Sequence, residues 1–156
     1  MNRLRRVSAV AVAVVSIGAA GAFASGCGND EANDYVEEIN DLQLAYVDDV
    51  TALISGTPPT TAEGSSEIAG DLADLTQGLA DDISAVDPPE EVADLHGQLV
   101  TTLEDVSGQI TDAEETIASG NPQQAAEAGA QLQQATTEAQ TQLRSIIDQI
   151  NSTLQD

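Results

Sequence analysis

From Tyr35 to Ile150, apolar side chains return every three or four residues, and this period constrains the fold more than any other feature of the chain. The first stripe is Tyr35, Ile39, Leu42, Tyr46, Val50 and Leu53; the second is Ile68, Leu72, Leu75, Leu79, Ile83 and Val86. A third runs Val92, Leu95, Leu99, Leu103, Val106, Ile110 and Ile117. The fourth uses Ala125, Ala128, Leu132, Ala135, Ala139, Leu143, Ile146 and Ile150, with smaller side chains in its first half. Residues three and four apart lie on one face of an α-helix, so each segment presents an apolar face and a polar one. Tyr35 and Tyr46 are the aromatic residues after position 27, so any core built from these faces is aliphatic.

The joints between the segments carry helix stop and start chemistry, and each contains proline. After Gly56 come Thr57, Pro58, Pro59 and Thr60, and Thr60 with Glu63 has the spacing of a capping box. Asp87 precedes Pro88, Pro89 and Glu90, which predicts a cap at Asp87 with proline in the first helical position. Gly120 suits the left-handed end of a helix, and Asn121 before Pro122 suits the start of the next. Four helices of roughly 24 to 33 residues with short joints predict an all-α fold, an up-and-down antiparallel four-helix bundle over residues 35–156.

The alternative is a three-helix bundle with a loose second segment, because Gly64, Gly70 and Gly78 each cost about 1 kcal/mol against alanine inside a helix. The stripe in that segment is nevertheless complete. Leaving its large side chains in water would forgo roughly 1.5 to 3 kcal/mol apiece, which favours four helices.

A different composition precedes the bundle. Arg3, Arg5 and Arg6 lead an alanine- and valine-rich run from Val7 to Phe23, followed by Ala24, Ser25, Gly26 and Cys27. A basic start, a short apolar stretch and small residues before a cleavage point describe a secretion signal over residues 1–26. Seventeen apolar-run residues, Val7 to Phe23, are marginal for a bilayer core that needs about 20, so a cleaved signal fits better than a permanent span.

Ala24, Ser25, Gly26 and Cys27 resemble a bacterial lipoprotein lipobox, departing from it at Ala24, where that motif prefers leucine. The resemblance implies that Cys27 carries diacylglycerol through a thioether and becomes the mature N-terminus. Two acyl chains, at about 0.8 kcal/mol per buried methylene, anchor stably where one chain holds only marginally. Cys27 is the chain's single cysteine, so it cannot form an intramolecular disulfide. On this reading residues 27–34 are a short tether, and the protein sits on the extracytoplasmic side of the cell membrane, held there by its lipid.

After Cys27 the chain has 27 acidic residues against the single basic Arg144, a formal charge of about −26, and no lysine. Nucleic-acid binding depends on Lys and Arg neutralising phosphates, so that class of partner is excluded. Anionic headgroups are repelled too, which leaves cations, basic peptides and neutral surfaces as partners.

No catalytic, cofactor or metal site emerges. His96 is the sole histidine and lies at the edge of the third stripe, where its ring is expected to pack over the seam; a proton switch or metal ligand is the rival reading. A di-iron bundle would need two Glu-x-x-His motifs, but position 93 is alanine and there is no second histidine. Haem lacks an ordinary axial pair, zinc lacks its usual ligands, and no nucleophile-elbow sequence accompanies His96. The protein is therefore expected not to be an enzyme.

Carboxylates cluster as Glu37, Glu38 and Asp41, as Asp48 and Asp49, as Asp81 and Asp82, and as Glu114 and Glu115. No twelve-residue calcium loop encloses them, and they read as a solvated acidic face. Only Glu127, Glu138, Asp148 and Asp156 follow Gly120, so the outer face of the fourth helix is the least repulsive surface; its amides read first as keeping a long helix soluble without added charge, and if the domain binds a protein or self-associates this is the face expected to do it.

The alanine-valine signal ending in Gly26 and Cys27, the tyrosine-bearing first helix, and the Pro88, Pro89, Leu95, His96, Leu99 stretch together resemble a group of uncharacterised actinobacterial lipoproteins. That resemblance implies the location and the helical fold, and no activity. The expectation is a surface-anchored structural or protein-interaction module, with a cell-surface protein as partner. The alternative is an extracytoplasmic module that binds or senses a cation or a basic peptide.

Overall fold

A computed structural model describes residues 30–56 and 59–155. Four α-helices occupy almost all of that chain: α1 Asp30–Ile54, α2 Ala62–Ser84, α3 Ala93–Ala118 and α4 Pro122–Gln155, with one 3₁₀ turn at Glu90–Val92. Among the described residues there is no strand, and the fold is an all-α bundle.

Helix direction can be read from contacts between the chains of side groups. Ser66 donates to Glu114 at 3.4 Å, and Ser107 donates to the Ala73 carbonyl at 3.0 Å. Advancing along α2 from 66 to 73 therefore retreats along α3 from 114 to 107, so the two helices are antiparallel. The tight turn at Gly120 reverses α3 into α4, and the C-terminal half of α4 returns to the 3₁₀ turn ahead of α3. The start of α1, the end of α2, the start of α3 and the end of α4 thus share one end of the bundle.

The predicted stripes form the core: Tyr35, Ile39, Tyr46 and Val50 from α1, Leu72, Leu79 and Ile83 from α2, Leu99, Leu103, Val106 and Ile110 from α3, and Leu143, Ile146 and Ile150 from α4. The second segment is not loose. It forms a continuous helix, and α2 and α3 make the closest approach in the bundle. The physical reason is a second line that large aliphatics alone do not reveal. Ala69, Ala73, Thr76, Ala80 and Ile83 are all buried, at 4-3-4-3 spacing; on this line the Ala73 carbonyl accepts from Ser107 of α3, while Thr76 meets Tyr46 of α1. At Gly70 a Cβ would lie 3.4 Å from the Glu114 carboxyl carbon.

Two caps differ from expectation. The residue that caps α2 is Thr61, one position after Thr60, accepting from the Gly64 amide at 3.1 Å. At the next joint Asp87 does not cap α3. The two prolines lead into the 3₁₀ turn, Val92 fills the cap position without a side-chain bond, and α3 begins at Ala93. Consecutive prolines supply no amide hydrogens, and the residue before a proline is pushed away from helical geometry, so the helix starts late. The third joint matches expectation. Gly120 has φ +72°, and Asn121 Oδ1 accepts from the amides of Gln123 and Gln124 at 3.0 and 3.3 Å.

Helix α1 starts at Asp30, so most of the segment expected as a tether is helical. The signal and Cys27 lie outside the described residues.

Candidate functional site

His96 is not a boundary side chain. It is 7% exposed, and its Nδ1 lies 3.1 Å from the Tyr35 hydroxyl, bridging α3 to α1 across 61 residues of sequence. The two rings meet with centroids 5.8 Å apart and planes inclined at 58°, an edge-to-face type of contact. Both residues stand at the shared end of the bundle because each lies in the opening turns of its helix.

The chemistry of the pair follows from burial. Desolvation lowers the His96 pKa below its usual 6.5, favouring the neutral ring, and pushes the Tyr35 pKa up to about 12, favouring the phenol. Either the phenol donates to Nδ1, with the imidazole proton on Nε2, or Nδ1 carries the proton and donates to the phenol oxygen. In both arrangements the ring is uncharged. The proton-switch reading of His96 thus has a geometry, while the metal-ligand reading has none: among the described residues no group of three His, Cys, Asp or Glu side chains is placed to hold a metal ion.

A second buried polar pair lies deeper. Thr76 donates its hydroxyl proton to the Leu72 carbonyl at 2.8 Å, so the Tyr46 hydroxyl, 3.1 Å away, must be the donor to Thr76. The bond satisfies both hydroxyls in an otherwise aliphatic layer. It ties α1 to α2 as Tyr35 ties α1 to α3.

Beside the upper pair runs a crevice lined by Tyr35, Val36 and Ile39 of α1, Leu99 of α3, and Ile147 and Ile150 of α4, with Asn40, Gln43 and Asn151 around it. Its volume is about 30 Å³. That is room for about one water molecule, against the several hundred cubic ångströms of an organic ligand site.

The carboxylate groups singled out in the sequence sit on the surface: Glu37, Glu38, Asp41, Asp48, Asp49, Asp81, Asp82 and Glu115 are exposed, and Glu114 is half-buried against Ser66. Asp34, Glu37, Glu38 and Asp41 border a shallow, open hollow on α1. On α4 the amide-rich face is exposed as expected, and Thr141, Arg144, Ser145, Asp148, Gln149 and Ser152 border a similar hollow. Among the described residues no helix is long and apolar enough to cross a membrane.

Sequence reading placed Tyr35 and His96 on separate stripes and did not pair them. The available signal was two polar-tipped side chains, each near the start of a predicted helix, in segments that run parallel in an up-and-down bundle. Residues 29–154 match a family described as a family of unknown function, DUF6376. No curated protein and no solved structure matches the chain.

Proposed function

The chain belongs to the DUF6376 family, whose function is unknown, and from that premise we propose that it is a surface lipoprotein anchored through Cys27, acting as a non-enzymatic interaction module outside the cytoplasm. One observation carries the reading. A basic, apolar leader ends at Cys27 with small residues before it, and the folded unit begins immediately afterwards, with the family match from residue 29 and α1 from Asp30. The lipobox resemblance of Ala24, Ser25, Gly26 and Cys27 and the likeness to actinobacterial lipoproteins support the same assignment.

The mechanism is presentation. Three residue steps separate Cys27 from Asp30, a reach of at most about 11 Å, so the lipid holds the end of the bundle containing Tyr35 and His96 next to the bilayer. The 25 residues of α1 carry the opposite end about 37 Å outward. Like charge keeps the acidic helices off anionic headgroups, so the bundle stands clear of the surface rather than lying on it. The outer face of α4 carries the fewest carboxylates and is where a protein partner meets least repulsion.

Intact-mass analysis of the membrane-extracted protein from its native host tests the anchor, alongside a Cys27→Ser variant. The expected result is a diacylglyceryl mass on Cys27 and an unprocessed variant. A freely secreted product with an unmodified thiol would overturn the assignment.

A further inference from the structure

The described bonds between α1 and the other three helices are few. Helix α1 packs along α2 less closely than α2 packs on α3, and it meets α4 through side chains that line the narrow crevice, Tyr35, Val36 and Ile39 with Ile147 and Ile150. Its hold at the membrane-proximal end therefore depends on side chains, and among the described residues the polar contact there is Tyr35 on His96. We propose that His96 is a proton-sensitive latch: while its ring is neutral it holds α1 on the bundle through Tyr35, and its protonation lets α1 open without unfolding α2 and α3.

The surroundings make the ring's charge decisive. From α1 the titratable group that meets it is Tyr35, a phenol, which offers no negative charge. On α3 and the preceding turn, the residues three and four positions away, together with Leu95, are aliphatic or alanine: Val92, Ala93, Leu95, Leu99 and Val100. The last described turns of α4, Gln149 to Gln155, contain no titratable side chain. Carboxylates at this end, namely Asp30, Glu31, Asp34 and Glu38 on α1, Asp81 and Asp82 on α2, Asp87 in the joint, Glu90 and Glu91 in the 3₁₀ turn, Asp94 on α3 and Asp148 on α4, are all exposed to solvent. Solvent screens these exposed carboxylates, so a proton on His96 puts under α1 a buried charge that they offset only weakly.

Hydrogen-bond capacity points the same way. An imidazolium has two N–H donors and no acceptor: where the phenol donates to Nδ1, protonation reverses that bond and Tyr35 must become the acceptor, and where Nδ1 already donates, protonation adds the buried charge alone. Burial already holds the ring toward its neutral form. A folded His that gives up its proton more readily than the unfolded one contributes stability above the unfolded value of 6.5; that contribution is lost as pH falls from there through the lower folded value. Histidine is the side-chain type whose ordinary titration falls between about pH 7.5 and about pH 5.5, and His96 is the single histidine of the chain.

Hydrogen exchange followed by mass spectrometry on the full chain in non-ionic detergent, at about pH 7.5 and about pH 5.5 and corrected for intrinsic rates, tests the latch. The expected result is two- to roughly tenfold more opening of the α1 amides at the lower pH. The ceiling is the protonation ratio of a free histidine one unit below its pKa. Amides of α2 and α3 are expected to keep their protection, and the pH effect is expected to vanish in His96→Gln. Equal α1 protection at both pH values, or an undiminished effect in His96→Gln, would overturn the proposal. Should His96→Gln fail to fold, NMR titration of the wild-type ring decides: titration below 6.5 in step with α1 opening supports the latch, and titration at or above 6.5 sinks it. Neither readout depends on lipid at Cys27, so this inference and the anchor stand or fall separately.

Discussion

Replacing Ile83 by alanine tests the central structural statement, that α2 is an integral part of one cooperative core. Ile83 has 0% exposure and lies in the last turn of α2, at the end of the core that holds Tyr35 and Ile39 of α1 and the large side chains at the start of α3 and the end of α4. Truncating a fully buried isoleucine removes its transfer free energy and leaves a cavity, a loss of about 2 to 5 kcal/mol. Against a total stability of about 5 to 15 kcal/mol, that is a large fraction. In a bundle of this size, 1 kcal/mol corresponds to a shift of about 4 °C, so a fall in Tm of roughly 8 to 20 °C is expected. Thermal and urea unfolding followed by far-UV circular dichroism measure it. Leu44→Ala serves as the control: Leu44 is 64% exposed, and its truncation should change stability by less than about 0.5 kcal/mol. Were Ile83→Ala no more damaging than Leu44→Ala, α2 would not share the core, and the four-helix argument would fail.

Two further outcomes follow from the turns and the charge. Gly120→Ala places a side chain at φ +72° where no atom lies within 4 Å, so the cost is conformational alone, about 1 to 2 kcal/mol by urea denaturation; a neutral result would mean that the turn between α3 and α4 is not left-handed. Sodium chloride should raise Tm by screening a formal charge of about −26, and calorimetric titration with calcium in moderate salt should show no saturable heat; a stoichiometric calcium site persisting in salt would restore the cation-sensing alternative.

The number and approximate extent of the helices were legible because they depend on local chemistry. Period, proline joints, the left-handed glycine at 120 and the Asn121 cap are decided within a few residues of chain. Where neighbouring residues compete for one role, the reading slipped by a residue or more. Thr60 and Thr61 are equivalent as cap chemistry, and the one whose oxygen reaches the Gly64 amide is Thr61. Asp87 has the right side chain for a cap, but two prolines after it delay the helix to Ala93. Asp30, Glu31 and Asp34 read as a polar tether, yet they are the solvent side of a helix whose buried positions begin at Ala32. Acidic residues also suit the first turn of a helix, where backbone amides point outward.

Sequence alone therefore determined an all-α chain with an aliphatic core and a strongly acidic exterior, since periodicity, composition and charge are properties of the chain before it folds. Tertiary structure decided which small residues become core. Alanine contributes little to a hydrophobic stripe, and Ala69, Ala73 and Ala80 count because the neighbouring helices bury them. It also decided that Tyr35 and His96 meet. No local rule links positions 61 residues apart; only the packing of α1 against the opening turns of α3 brings a phenol to an imidazole and removes both from water.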